Sequence, residues 1–297
     1  MSHVSVLLHE LVDGLALQAG NTILDCTLNG GGHSEEILKR WGNEVTIIGI
    51  DADSAALKRA AEQLRPYQSR VMLVQGNFRQ ADLLLKEAGV TVVDRVIYDL
   101  GLSSNQYDES HRGFTFKQDE PLLMTLNDTP GIDEVTAARV VNQTGEQELA
   151  DLLFHYGEER YSRRIAKGIV EARKKKRFET TNELVRVIET SVPASYLHQR
   201  IHPATRTFQA LRIAVNDEFG ALTESLQKTF GLLSQGGRIG VITFHSLEDR
   251  IVKKYFQELD AAGLALRINK KVIQPTREEI VANPRSRSAK LRLIQKT

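Results

Sequence analysis

Gly30, Gly31 and Gly32, inside DCTLNGGGHS (Asp25–Ser34), sit between a short apolar run and the amphipathic EEILKRWG. Residues without a Cβ allow left-handed backbone angles and a close approach to a ligand, so this turn suits a nucleotide-type cofactor. The dinucleotide fingerprint G-x-G-x-x-G, begun at Gly30 and Gly32, demands a third glycine at position 35, where the chain has Glu35. That removes the best support for NAD. Asp51 closes VTIIGIDAD, 26 residues after Asp25, where a carboxylate usually grips a ribose hydroxyl pair. Its structural alternative is an N-cap for SAALKRAAEQL. Phe78 closes RVMLVQGNF and either stacks on adenine or serves as a core aromatic. With DLG (Asp99–Gly101) these residues describe an adenosine crevice lacking a phosphate cradle, which suits S-adenosylmethionine better than NAD or ATP.

Strands must carry those residues. The spacing predicts one before Asp25 and four more at Val45–Asp53, Arg70–Phe78, Val93–Ser104 and Gly236–Ser246, each rich in β-branched residues and ending in polar residues or glycine. Helical patterns between the first of them make βαβ units and a doubly wound, mostly parallel α/β sheet the economical reading, with the ligand beyond the carboxyl ends of the strands. Asp99 and Gly236 are 137 residues apart, far more than one βα connection needs. Within that gap, TGEQELADLLFHYG shows a capping box at Thr144 and Gln147, helically spaced Leu149, Leu152, Leu153 and Tyr156, and Gly157 as a stop; Thr180 and Glu183 repeat the box. The expectation is a discontinuous cofactor domain (1–107 and 206–297) with an inserted all-helical domain at 108–205.

Thirty-nine Lys and Arg against 38 Asp and Glu give a net charge of +1, so a nucleic-acid partner would need a local basic patch. One cysteine, Cys26, excludes an internal disulfide framework and a cysteine zinc site and suits a reducing cytoplasm. The absence of a long apolar run, and of signal-peptide features in the first residues, points to a cytoplasmic protein without membrane contact.

Seven stretches carry a resemblance to a known family: HVSVLLHE (His3–Glu10), DCTLNGGGHS, YDLGLSSNQYDESHRGFTF (Tyr98–Phe116), YGEERYSRRIA (Tyr156–Ala166), HPATRTFQALRIAVNDE (His202–Glu218), FHSLEDRIVK (Phe244–Lys253) and NPRSRSAKLR (Asn283–Arg292). The chain resembles the bacterial 16S ribosomal RNA cytosine-N4 methyltransferases, which use S-adenosylmethionine. The resemblance implies a class I, Rossmann-like methyltransferase core with an inserted helical domain, and a cytidine of the decoding centre as substrate. It also implies cofactor contacts at Gly31, Gly32, His33, Asp51, Phe78, Asp99 and Gln106. Two departures stand out. Asn29 replaces a usual glycine, and asparagine tolerates the left-handed region better than most residues. Leu123, Thr125 and Asn127 in PLLMTLN replace two acids and a base of a family stretch that usually reads P-L-D-M-R-M-D.

The exocyclic amine of cytosine is a poor nucleophile, because its lone pair is delocalised into the ring. Asp99 can accept its N–H bond and orient it, most of the acceleration being proximity; as a full proton acceptor, a carboxylate of ordinary pKa near 4 is weak. His245 and Ser246 end the fifth strand beside Asp99, and Ser246 with Asp249 also makes an S-x-x-D cap. His33 and His245 lack metal-pair spacing, so no metal is assigned. Arg160–Arg177 holds nine basic residues and one acid, Glu171, while RSRSAKLRLIQKT adds five more basic residues, and both suit RNA phosphates. Lys174, Lys175 and Lys176, together with a helical stripe of Arg206, Gln209, Arg212 and Asn216 and with His245, are the candidate substrate contacts. The target base must be unstacked, which favours single-stranded or loop RNA. A non-catalytic RNA-binding assembly factor and an amino-methyltransferase acting on another substrate are the competing readings, with an NAD dehydrogenase third.

Overall fold

The computed structural model describes residues 5–128, 130–131 and 134–297; His3 and Val4 of the first motif lie outside them. Internal contacts divide the chain into two compact units, Met1–Gly101 with Phe219–Thr297, and Leu102–Glu218.

In the first unit, α1 (Leu8–Gly14) precedes β1 (Thr22–Asp25), α2 (Gly32–Trp41), β2 (Thr46–Asp51), α3 (Ser54–Gln63), β3 (Val71–Gln75), α4 (Ala81–Glu87) and β4 (Val93–Asp99). The second unit follows as α5 (Ser104–Asp108), α6 (Ala137–Gln143), α7 (Glu146–Gly157), α8 (Ser162–Arg173), α9 (Thr181–Ser191), α10 (Ala194–Leu197) and α11 (Ala204–Asn216). The chain then returns through α12 (Glu218–Leu232), β5 (Leu233–Thr243), α13 (Ser246–Ala261), β6 (Ala265–Arg267), α14 (Arg277–Ala282) and β7 (Lys290–Lys296).

Among the described residues the strands form one seven-stranded sheet, ordered β3-β2-β1-β4-β5-β7-β6. β1 to β5 run parallel, and β7 pairs antiparallel with both β5 and β6. The order reverses direction between β1 and β4, and a ligand of such a sheet sits at that switch point. Both faces are covered, so the central strands are apolar on both sides. Ile23, Ile47, Ile97 and Ile242 join one core cluster, while Leu24, Ile48, Val96, Tyr98 and Val241 join the other. Tyr98 is locked in place because its hydroxyl shares hydrogen bonds with Ser225 and Thr229 of α12, at 2.6 and 3.0 Å. The next residue on the strand, Asp99, is thereby fixed in position.

The basic stretch RSRSAKLRLIQKT, expected to meet RNA phosphates, instead supplies β7, which pairs with β6. Leu291 and Leu293 face one core and Ile294 the other. Arg292 is 9% exposed and grips Asp249 through two hydrogen bonds of 2.7 and 3.1 Å, while the Lys296 ammonium donates to the Phe230 and Leu233 carbonyls. Those two cations serve the fold; Arg285 and Arg287 remain exposed.

The second unit is built around α7, α8, α9 and α11, with Leu149, Leu153, Ile165, Ile169, Leu184, Ile188, Phe208 and Leu211 in one buried cluster. Its limits differ from the expected 108–205 at both ends. Leu102 and Tyr107 pack on this core, and so do Ala204, Phe208, Ala210 and Leu211 of α11, which draws 102–107 and 206–218 into the same body. The box of Thr180 and Glu183 forms at the start of α9. The box of Thr144 and Gln147 does not: Gly145 is the N-cap of α7, Thr144 ends α6, and Gln147 donates to Asp151. Gly157 ends α7 as its last helical residue, and a Cβ there would lie 2.5 Å from the Arg206 carbonyl oxygen, so this glycine permits the approach of α11.

Candidate active site

The glycine turn leads from β1 into α2. Asn29 adopts φ 50° and Gly31 φ 82°, so two left-handed residues reverse the chain within three positions. A Cβ on Gly32 would meet the Ser5 hydroxyl at 2.1 Å, so that hydroxyl would have to turn away, while Gly31 is required by its backbone angle. Asp25 anchors the turn: it is 2% exposed and accepts the Ser34 hydroxyl at 2.7 Å and the Thr27 amide at 3.3 Å. Burial pushes its carboxyl up to about 6 in spite of those donors.

Asp51 ends β2 at 8% exposure, with Oδ2 accepting the Asn29 amide at 2.8 Å and Oδ1 the Asp53 amide at 2.9 Å. The carboxylate thus ties the tip of β2 to the glycine turn. The N-cap of α3 is Asp53, which accepts the Ala55 amide, so the capping alternative for Asp51 does not hold. Each carboxylate oxygen retains a further lone pair for a hydroxyl donor. Burial raises Asp51 to about 6, against the lowering by its two amide donors. Phe78 is half-buried and meets Tyr98 edge to face, with ring centroids 5.9 Å apart, so it packs on the core while keeping part of its surface accessible.

Asp99 ends β4 beside β1, and the Thr27 hydroxyl accepts its amide at 2.6 Å. Its side chain is 9% exposed, its Oδ1 is buried without a hydrogen-bond partner among the described residues, and its Oδ2 lies 3.7 Å from His33 Nδ1. Burial first, then the Asp25 and Glu248 charges, push this carboxyl up to about 8. Glu248 is 3% exposed because it closes a capping box at the start of α13 with His245 as the N-cap. That corrects the S-x-x-D reading: the cap sits one residue earlier, and Asp249 is taken by Arg292. His245 Nδ1 accepts the Glu248 amide at 3.4 Å, so its ring is occupied in holding the helix end.

The remaining predicted residues lie in the second unit. Gln106 is buried and forms a capping box with Ser103, its side-chain carbonyl accepting the Ser103 amide at 3.1 Å. On α11, Arg206 donates to the Glu158 carbonyl, Arg212 makes a two-pronged pair with Glu218 at 2.7 and 2.8 Å, and Gln209 is half-buried. Asn216 accepts the Leu126 amide and donates to the Met124 carbonyl, which staples the segment of the family departure to the helix. In that segment Thr125 is fully buried and bonds the Asn127 carbonyl, Asn127 donates to Glu134, and Leu123 lines a groove of about 730 Å³ with Arg139, Asn142 and Arg177. α8 ends at Arg173, so Lys174, Lys175 and Lys176 do not spread around a helix as their row suggests. All three are exposed, but Lys174 pairs with Glu171 at 3.0 Å and Lys176 with Glu183. Within the same run Arg160 stacks over Tyr161 and Tyr196, and Arg173 donates to the Val141 and Thr144 carbonyls.

Comparison with protein families matches residues 1–297 to the MraW methylase family. The chain belongs to the MraW methylase family. It is 44% identical to a protein of Symbiobacterium thermophilum named "Ribosomal RNA small subunit methyltransferase H", over 99% of this chain and 96% of that one. It is equally identical to proteins of the same name from Paenibacillus sp. (99% of each chain) and Clostridium botulinum (99% of this chain, 98% of that one). A methylase requires a methyl donor, and the described residues of this methylase fit S-adenosylmethionine. A left-handed turn opens a helix at the switch point, the carboxylate of Asp51 stands at the tip of β2, and Asp99 carries a buried oxygen without a partner. Asp25, Thr27 and Glu248 were missed as contributors to this site. Asp25 and Thr27 lie inside the quoted glycine motif, and Glu248 would have been found by reading the cap from His245 rather than from Ser246.

Proposed function

We propose that this methylase transfers a methyl group from S-adenosylmethionine to the exocyclic N4 of a cytidine in the 16S ribosomal RNA of the small ribosomal subunit. The observation that carries this reading is the 44% identity, over nearly the whole chain, to relatives named as small-subunit ribosomal RNA methyltransferases. Choice of the N4 amine is supported by the motif resemblance and by Asp99, whose unpartnered Oδ1 suits an N–H donor. Asp51 would hold the ribose hydroxyls, Gly31, Gly32 and His33 the turn side of the cofactor, and Phe78 the adenine. S-adenosylmethionine supplies an already activated methyl, so the protein's task is to hold the amine in line and take its proton.

The second unit would serve the RNA. Exposed Arg163, Arg164, Lys167, Lys175 and Arg177 suit phosphates, which give affinity without base discrimination. Incubation with labelled S-adenosylmethionine and immature small-subunit particles, followed by nucleoside mapping, tests the reading. Label in N4-methylcytidine of 16S RNA is expected. Binding to the particles without transfer would overturn it in favour of an assembly factor.

A further inference from the structure

Phe116 closes one of the motifs of the family resemblance and His202 opens another. In the second unit their rings stack, with centroids 4.6 Å apart and planes inclined by 27°. Buried Phe208 of α11 meets Phe116 edge to face at 5.1 Å, so three rings lead from the core cluster to the surface. The outermost ring is fixed in orientation. His202 Nδ1 accepts the Ala204 amide at 3.2 Å, at the start of α11, and Nε2 faces Glu189 Oε1 of α9 at 3.5 Å. One face of the imidazole is covered by Phe116 and both nitrogens have protein groups beside them, yet the side chain is 40% exposed. Its accessible surface is therefore mainly the face turned away from Phe116. The bond to Ala204 accounts for a capping histidine, but it does not require a ring backed by an aromatic and bare on its outer side.

Resting on the reading that the second unit serves ribosomal RNA, we propose that His202 is a stacking platform for one unpaired base of the RNA strand, with Phe116 backing the ring. Unstacked bases of single strands and loops settle on aromatic and imidazole faces, and every base has such a face to offer. A paired base is covered on both sides by its neighbours, so the platform selects loop or single-stranded RNA without reading its sequence. Exposed Lys117 follows Phe116 in the chain and exposed Arg200 lies two residues before His202, which places cations where the phosphates flanking a stacked base can be met. Stacking of this kind needs no new charge on the ring. The rigid mounting keeps the ordering cost of binding low, because the imidazole is already held by Phe116 and by the Ala204 amide before RNA arrives.

Binding of the full chain to two probes tests this: oligouridine of about twelve nucleotides, and an abasic strand with the same ribose-phosphate backbone. Wild-type protein should prefer the strand that carries bases. His202→Asn keeps an acceptor for the amide two residues on, in the manner of an Asx turn, and removes the ring. It should weaken oligouridine binding by about fivefold to a hundredfold, the ordinary range for one stacked base, and leave the abasic strand unaffected. His202→Phe loses the acceptor and keeps a ring, so it should retain the preference even if it melts at a lower temperature. Changing Lys117 and Arg200 to Gln should weaken both strands alike and flatten the salt dependence by up to about 0.7 per lost contact. Retention of the preference in His202→Asn, or its loss in His202→Phe, would assign the residue to helix capping and overturn the platform. Wild-type protein without any preference for bases would overturn it as well and leave the exposed ring to a protein partner. Failure of wild-type protein to methylate ribosomal RNA, with the preference present, would count against the functional reading instead.

Discussion

Asp25 and Asp99, at the ends of adjacent parallel strands, are 2% and 9% exposed, and burial sets their proton affinity. Arg163, Arg164 and Lys167, on α8 of the other unit, stand in water with their aliphatic neighbours Ile165, Ala166 and Ile169 turned inward. In the first region an isolated charge costs several kcal/mol and must be neutralised by a proton or a partner; in the second it costs almost nothing and is worth little until a phosphate arrives. Substitutions at the strand ends should therefore change chemistry and pH dependence, whereas substitutions on α8 should change only salt dependence.

The sharpest break of that contrast comes from Asp99→Ala, which should lower methyl transfer at saturating cofactor by about 10² to 10⁴, the usual range for a group that receives a proton in the transition state. A wild-type single-turnover rate would place Asp99 outside the chemistry. Asp51→Ala should weaken S-adenosylmethionine binding by about 1.5 to 3 kcal/mol, through loss of a charge-assisted acceptor. Calorimetry giving the wild-type affinity with the fold intact would remove Asp51 from the cofactor site.

The pH dependence of stability follows from the raised carboxyls. A folded-state affinity of about 8 for Asp99 lies above that of the unfolded chain, so its contribution is fully present below about pH 4 and is lost as pH rises through 8; Asp25 acts in the same direction through about 6. Asp99→Asn keeps the shape and cannot ionise. Its melting temperature should match wild type at pH 5 and exceed it at pH 8.5, by on the order of 5 °C. A difference that does not vary with pH would mean that Asp99 is not titrating in the fold. The smallest effect belongs to the other side of the comparison. Replacing Lys174, Lys175 and Lys176 together by Gln should flatten the dependence of RNA affinity on log[salt] by up to about 0.7 per lost contact, with cofactor affinity unchanged. The pairs of Lys174 with Glu171 and Lys176 with Glu183 compete for two of those charges, so Arg163, Arg164 and Lys167 changed to Gln should flatten it at least as much. An unchanged slope in both would leave the basic run a solvated face.

The five parallel strands were legible because each is a short apolar run with a polar ending; β1, β2, β4 and β5 are buried over most of their length, while β3, at the sheet edge, is only half-buried. β7 was not, since Lys290, Arg292 and Lys296 punctuate KLRLIQK and mimic a tail; only the partners of Arg292 and Lys296 show those charges to be structural. Helix starts slipped by one residue where two caps competed, as at Thr144 against Gly145 and Ser246 against His245. Positions of the candidate site residues on strand ends could be read from spacing. The protonation of Asp99 could not: its ordinary value near 4 becomes about 8 only when burial, Asp25 and Glu248 are combined, and the latter two come from distant parts of the chain.

The discontinuity of the first unit bears on how the protein is made. During synthesis β1 to β4 emerge first, the contiguous 102–218 unit follows, and the partner strand of β4 is supplied only when Leu233–Thr243 leaves the ribosome. β5 in turn waits for Lys290–Lys296. At typical elongation rates the stretch from Phe219 to Thr297 takes on the order of ten seconds, during which an apolar half-sheet must avoid other nascent chains. The buried cluster of the 102–218 unit is built from that unit's own residues, so its core needs none of the late stretch, whereas the sheet does.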